Sequence, residues 1–292
     1  MNAHPGDPPI GGTVSRIRSL VPALVPSEQR VAIACVEHPD VVALLSVADL
    51  AARTGTSSAT VIRACQNLGF RGFQHLRLLL LRDLGAAERR PALTPGDSSA
   101  DRVRAQFDHT ARELSDALGA LDFASFDAAA AAIAGARRVL AVGNGGSAAA
   151  AQQAAIRLLV TGRSCEAPAD AVTQQMTART LTSADVCLAV SDSGMNAVTL
   201  RAVEAADAAG AVVVGITSYA RSRLAELSAH ALVAGAAFHS WDDGVSGNLT
   251  QLLLVSSLQL EVARLSGAPA EHAGAEVLDE VLNLVDDARH EL

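Results

Sequence analysis

The chain has 292 residues, half of them hydrophobic and 3% aromatic, with a net charge of −8, which is room for about two domains with cores of their own. Its basic residues are all arginine and are spread unevenly: residues 1–90 hold 10 Arg against 7 Asp and Glu, whereas residues 91–292 hold 13 against 24. The balances of +3 and −11 admit a nucleic-acid surface in the first third and argue against one in the remainder.

Cys35, Cys65, Cys165 and Cys187 show no C-x-x-C pairing and no histidines at metal spacing. They read as buried small apolar residues of a reduced intracellular protein with no metal site. The start, "MNAHPGDPPIGGT", has no basic stretch followed by an apolar one, so it does not read as a secretory signal; residues 1–13 are expected to be a disordered lead. No segment is apolar for long enough to cross a membrane, and a cytoplasmic protein is expected.

A helical domain is expected over residues 14–85. The run "SEQRVAIACVEHP" predicts a helix from Ser27 as N-cap to the stop at Pro39, with Val31, Ala34, Cys35 and His38 along one face. Next, "SVADLAARTGTSSATVIRACQNLGF" predicts a helix over 46–53, a turn at 54–56 containing Gly55, and a second helix capped by Ser57 or Ser58. Two short helices joined by such a turn are a helix-turn-helix pattern. Leu50, Ala51, Val61 and Ile62 are the expected core. Ser57, Ser58, Thr60 and Arg63 are suited to base edges and phosphates, with Arg71, Arg77 and Arg82 as further phosphate contacts. The same pattern also fits an ordinary helical bundle with a solvated arginine face.

The residues "SSATVIRACQNLGFRGF" and the upstream "SEQRVA…EHP" resemble the N-terminal domain of the RpiR family of bacterial transcription regulators, over some sixty residues. The resemblance implies operator DNA as a partner, a recognition helix over 57–68, and Phe70 and Phe73 as core anchors of the helix that follows.

Residues 86–100, "AAERRPALTPGDSSA", read as a linker. After it, residues 101–292 are expected to form an α/β domain. One or two alanine-rich helices lead in over 101–135. Strands "RRVLAV", "DVCLAV", "AVVVGIT" and "AHALVA" then alternate with helices, which implies a parallel sheet flanked by helices. Ligands in such folds bind beyond the carboxyl ends of the strands. Two turns fall there: Gly143, Asn144, Gly145, Gly146 and Ser147 after the first strand, and Ser191, Asp192, Ser193, Gly194 and Asn196 after "DVCLAV". A glycine-rich turn at a helix N-terminus favours an anion. Gly143, Gly145 and Ala148 also fit a dinucleotide fingerprint with Glu166 as the ribose acid, but "TGRSCEAP" around Glu166 lacks the pattern of the second strand this requires.

"GNGGSAA", "LAVSDSG" and "VVGITSYARSRLAELSAHAL" resemble a sugar isomerase (SIS) domain, a phosphosugar-binding fold, over roughly residues 125–265. The resemblance implies a phosphorylated sugar effector held by Ser147, Ser191 and Ser193. Where the family often has threonine, this chain has Asn196. "GNGGS" itself is closer to the phosphoheptose isomerase branch, which keeps an aldose–ketose isomerase with an accessory helical domain as the alternative. Such an enzyme needs a general base. Glu166, His239 and His272 are available, but none stands in a recognisable catalytic pattern, and a non-enzymatic, cofactor-free regulator is the expectation. Asp242 and Asp243 read as a solvated loop. The segment 246–265 is apolar around most of its circumference and is expected to be buried inside the domain or against a second subunit, and the terminal amphipathic run beginning at Glu271 is expected to pack likewise. A homodimer or homotetramer would match palindromic half-sites.

Overall fold

The computed structural model describes residues 7–86, 98–234 and 245–267. The chain forms two compact units, one built mainly from residues up to Leu121 and the other mainly from Asp122 onward.

The first unit is all helical. It contains α1 (Thr13–Leu20), α2 (Pro26–Glu37), α3 (Pro39–Val42), α4 (Val47–Thr54), α5 (Ser58–Asn67), α6 (Phe73–Ala86) and α7 (Ser99–Ala117). One core joins the first six, with Ile17, Val31, Leu50, Val61, Leu68 and Leu76 fully buried. Phe70 and Phe73 lie in it as anticipated. Helix α2 begins on Pro26 rather than on a Ser27 cap, since proline's fixed φ suits the first helical position. It buries Val31, Ala32, Cys35 and Val36 and leaves His38 exposed.

Residues 7–12, placed by the sequence in a disordered lead, are tied down. The Arg82 guanidinium donates to the Pro8 and Pro9 carbonyls, and the Gly12 amide donates to Pro9. Helix α7, assigned by sequence to the α/β domain, belongs to this unit instead. The Ser15 hydroxyl donates to the Asp116 carbonyl, and Gly12 meets Gly119 so closely that a Cβ on Gly119 would lie 2.3 Å from the Gly12 Cα.

The second unit is a five-stranded sheet in the order β2-β1-β3-β4-β5, with β1 (Val139–Gly143), β2 (Cys165–Glu166), β3 (Val186–Val190), β4 (Val212–Thr217) and β5 (His230–Val233). The β2–β1, β1–β3 and β3–β4 pairs are parallel. Every residue of β1 and β3 is buried, as expected of a sheet covered on both faces. Alternate residues Leu140, Val142, Cys187, Ala189 and Val213 form a core with α10 (Ala171–Arg179), α11 (Ala197–Ala208) and α12 (Arg223–Leu227). Helix α9 (Ala148–Val160) packs on β1, β2 and β3, and α8 (Phe123–Gly135) precedes the sheet. Helix α13 (Val245–Leu265) buries Leu254, Val255, Leu258 and Val262 but leaves Leu253 51% and Leu260 65% exposed.

The β1–β3 register pairs Val139 with Val186 and Gly143 with Val190, so the turns that follow the two strands start side by side. This register is held at the opposite end of the strands. The Arg137 guanidinium grips the buried Asp185 carboxylate in two hydrogen bonds of 3.0 and 2.8 Å, while the Thr182 amide and hydroxyl donate to the same carboxylate. Burial works against the charge of Asp185, but these donors outweigh it and hold its pKa below the usual value.

Candidate functional site

Reading outward from β1, Gly143 lies tight against Ser147 and against Ala151 of α9. A Cβ there would lie 2.6 Å from the Ser147 carbonyl oxygen, so glycine is needed for packing. Gly145 takes φ of +62° and opens a 3-10 turn, Gly145–Ser147, that leads directly into α9. No side chain caps the N-terminus of α9, so none competes there for an anion.

The second turn is built as tightly. Gly194, also at φ +62°, could carry no side chain, because a Cβ would fall 2.1 Å from the Ser222 hydroxyl oxygen. The Thr217 hydroxyl donates to the Asp192 carbonyl, and the Gly194 amide donates to Ser191. Asn196 caps α11: its Oδ1 accepts from the Val198 and Thr199 amides, both at 3.1 Å. Asparagine therefore keeps the helix-initiating role that a short polar residue serves at this position, and the amides it engages are occupied.

The two turns are joined directly. The Asp192 amide donates to the Ser147 Oγ at 3.2 Å, bringing the first-turn serine and the S-x-S-G turn into one constellation. Ser147 and Ser191 are buried, whereas Ser193 is exposed and accepts from the Met195 amide. Asn144 points sideways. Its Nδ2 donates to Gln174 Oε1 on α10 and to Thr199 Oγ1 on α11, both at 3.0 Å. That latch is structural, and Gln174 and Thr199 did not stand out in the sequence because they lie in helices remote from either turn. Thr217 and Ser222 also escaped notice, although "ITS" at the end of β4 obeyed the same strand-end rule.

Glu166 does end a second strand, contrary to the sequence reading, but one of two residues only. It pairs in register with Leu140, three residues short of Gly143, or roughly 10 Å below the glycine turn. It faces Arg138 at 3.7 Å instead. The ribose-binding role is thus excluded by position, not by a missing strand, and the same distance separates Glu166 from the turns as a general base. His239, Asp242, Asp243 and His272 lie outside the described residues. Among the described residues no group of three or more His, Cys, Asp or Glu gathers as a metal site would require.

In the first unit, α4 is closed by a capping box between Ser46 and Asp49 and ends at Gly55 with φ +61°. Ser57 then caps α5 by accepting from the Thr60 amide at 3.2 Å. Arg30 on α2 donates to the Thr54 and Gly55 carbonyls, and Asn67 donates to Glu28, so α2 fixes both the turn and the far end of α5. Ser58, Arg63 and Arg71 are exposed on this framework. Thr60 is not: it is buried, its hydroxyl 3.0 Å from that of Ser57 and accepting from Arg63 Nη2 at 3.4 Å. Ile62, expected in the core, is 41% exposed. Arg77 is half-buried, and Arg82 is engaged by Asp83 and by the residue 8–9 carbonyls, which leaves it no phosphate role.

Comparison with known proteins bears on both units. The helix-turn-helix domain of the rpiR family matches residues 11–87, and the SIS domain matches residues 132–260. The chain thus carries an rpiR-type helix-turn-helix domain followed by a SIS domain. A helix-turn-helix-type transcriptional regulator of Caldanaerobacter subterraneus subsp. tengcongensis, itself described as uncharacterized, is 38% identical over 89 residues; the match spans 30% of this chain and 31% of that relative. Among solved structures, the Vibrio vulnificus NanR protein complexed with ManNAc-6P superposes with a TM-score of 0.59 at 25% identity, covering 93% of this chain and 98% of NanR. The sugar isomerase domain of an RpiR transcription factor from Sphaerobacter thermophilus gives 0.53 at 25% identity, over 62% of this chain and 98% of that one. The strands of the SIS-matched unit run in the order 2-1-3-4-5. In that order the crevice lies between the first and third strands, where the Ser147 and Ser191 turns meet.

Proposed function

We propose that this protein is a transcription regulator whose helical unit binds operator DNA and whose SIS domain binds a phosphorylated sugar that alters operator affinity. The observation that carries the effector half is the Asp192–Ser147 hydrogen bond at the β1/β3 switch point, beside the uncapped N-terminus of α9. The phosphate would sit on the α9 N-terminus with the Ser147 and Ser191 hydroxyls donating to it. Ser193, exposed beside them, would reach a sugar hydroxyl, and Gly143, Gly145, Gly146 and Gly194 would let the backbone approach. Asn144 and Asn196 would act by shaping the turns rather than by touching the ligand. In the helical unit, Ser58, Arg63 and Arg71 would contact DNA, with Ser57 serving as the cap. The solved NanR complex with a sugar phosphate supports the ligand class.

The reading is of a cytoplasmic, non-catalytic and cofactor-free protein. Among the described residues no single helix is long and apolar enough to cross a membrane. A homodimer or homotetramer is favoured by exposed Ile156 and Leu159 on α9, beside which Arg157 donates to Gln259 of α13, the helix that exposes Leu253 and Leu260. A thermal shift of the purified chain against sugar phosphates, their unphosphorylated sugars and NAD tests the effector half, because a ligand of the native state stabilises it by mass action. Stabilisation by one sugar phosphate, lost in Ser191→Ala, is the expected result. No response to any sugar phosphate, or an equal response in the variant, removes the site from these turns.

A further inference from the structure

Helix α5, read above as the recognition helix, carries one large apolar side chain on its exposed face. With 3.6 residues per turn, Val61, Ala64 and Cys65 fall on the buried side, while Ser58, Ala59, Ile62, Arg63 and Gln66 form one exposed arc. Ile62 and Gln66, one turn apart, lie near the middle of that arc. The other members are small or hydrogen-bonding, and α5 holds no acidic residue that would repel a phosphate-lined groove. Ile62 is 41% exposed. It walls a shallow depression together with Val47 and Phe73.

We propose that Ile62 is a specificity-determining residue that packs against the 5-methyl group of a thymine in the DNA major groove. This rests on the DNA-binding reading above. When the arc enters the groove, Ile62 loses water at its centre. Against guanine, adenine or cytosine it would strip water from hydrogen-bonding edges without replacing those bonds, which is costly. Thymine alone presents a methyl group there, and apolar contact with it is the one readout an aliphatic side chain can make. Ser58, Arg63 and Gln66 around it supply the polar readout, so each half-site should carry a thymine beside the base pair that Arg63 contacts.

The test uses the full chain. Operator duplexes are first enriched from a random pool by the purified protein, and each thymine is then replaced singly by deoxyuridine, which removes only the methyl. Dissociation constants are measured for the unaltered protein and for Ile62→Val, Ile62→Ala and Arg63→Ala. The expected result is about fourfold weaker binding at one thymine per half-site for the unaltered protein, the worth of one buried methyl. In Ile62→Ala that site becomes insensitive to deoxyuridine, in Ile62→Val it stays partly sensitive, and Arg63→Ala weakens binding whether or not the methyl is present. The proposal is overturned if no thymine methyl matters, or if Ile62→Ala loses as much at the same position as the unaltered protein. It is equally overturned if Ile62→Ala changes the sedimenting species while the deoxyuridine pattern is unchanged, which would make Ile62 a subunit contact. Failure of the pool to enrich any sequence would instead overturn the DNA-binding reading and this inference with it.

Discussion

At Ser147 one hydroxyl accepts from the Asp192 amide across the gap between two strand ends and keeps its own proton to donate. Ser147→Ala removes both capacities. Unfolding in urea should show a loss of about 1 kcal/mol, the usual net value of one such bond, and calorimetric titration should show the affinity for the effector falling at least tenfold. Unchanged affinity would place the ligand elsewhere. At this scale the serines were legible because small polar residues gathered at strand ends. The residues that position them were not, since Gln174, Thr199 and Thr217 act only through folded contacts with Asn144 and Asp192. Thr60 and Ile62 were misplaced. Burial on α5 follows helical phase: at 100° per residue Thr60 falls on the side of Val61 and Ala64, and Ile62 on the side of Ser58 and Gln66.

At the scale of elements, the alignment of the two turns depends on the β1–β3 register, and that register is clamped by Arg137 and Asp185. A slip of one residue would offset the turns by about 3.3 Å and reverse the faces of the strand. Asp185→Asn should cost about 2 kcal/mol at neutral pH, because the guanidinium and the Thr182 donors lose a charged acceptor at a buried site. The pKa of Asp185 is depressed in the folded chain, so the contribution is complete above the unfolded value of 3.8 and is lost as pH falls through the folded value. Denaturation measured from pH 7 downward should therefore show the two proteins converging in acid, and a gap that persisted at the lowest pH would assign the cost to shape rather than charge. Strands β1, β3, β4 and β5 were visible as short apolar runs bounded by turns. The two-residue β2 was not, being too short to display any period; α1 buries Thr13, Ser15 and Ser19 beside a single Ile17, and α10 has little apolar periodicity, so neither stood out.

For the molecule as a whole, the two-unit organisation predicts that functions separate. Arg63→Ala should weaken operator binding about tenfold or more in an anisotropy assay yet leave effector-induced thermal stabilisation intact; loss of both would mean that the variant had unfolded. If the effector regulates DNA binding, operator DNA must change effector affinity by the same factor, and titrations of effector with and without operator should reveal it. Identical affinities would remove the coupling. The four cysteines report on global integrity. All are buried; Cys65, Cys165 and Cys187 are pushed by burial to about 12 and Cys35 higher still. At pH 8 a thiol reagent should find none of the four reactive in the native protein and all four in denaturant; one fast-reacting native thiol would show that its unit opens locally.

The succession of helices, strands and glycine turns was written along the chain, because hydrophobic period and turn chemistry are local properties that need no partner. So were the two kinds of domain, since "SSATVIRACQNLGF" and "GNGGS…SDSG" are contiguous stretches. What only the tertiary structure decided is which residues separated along the chain come to share a place. Packing put α7 with the helical unit, set Glu166 too low on the sheet for the glycine turn, tied up Arg82, and carried Ser147 to within a hydrogen bond of Asp192. Such outcomes depend on contacts between residues tens of positions apart, whose relative placement no local pattern encodes.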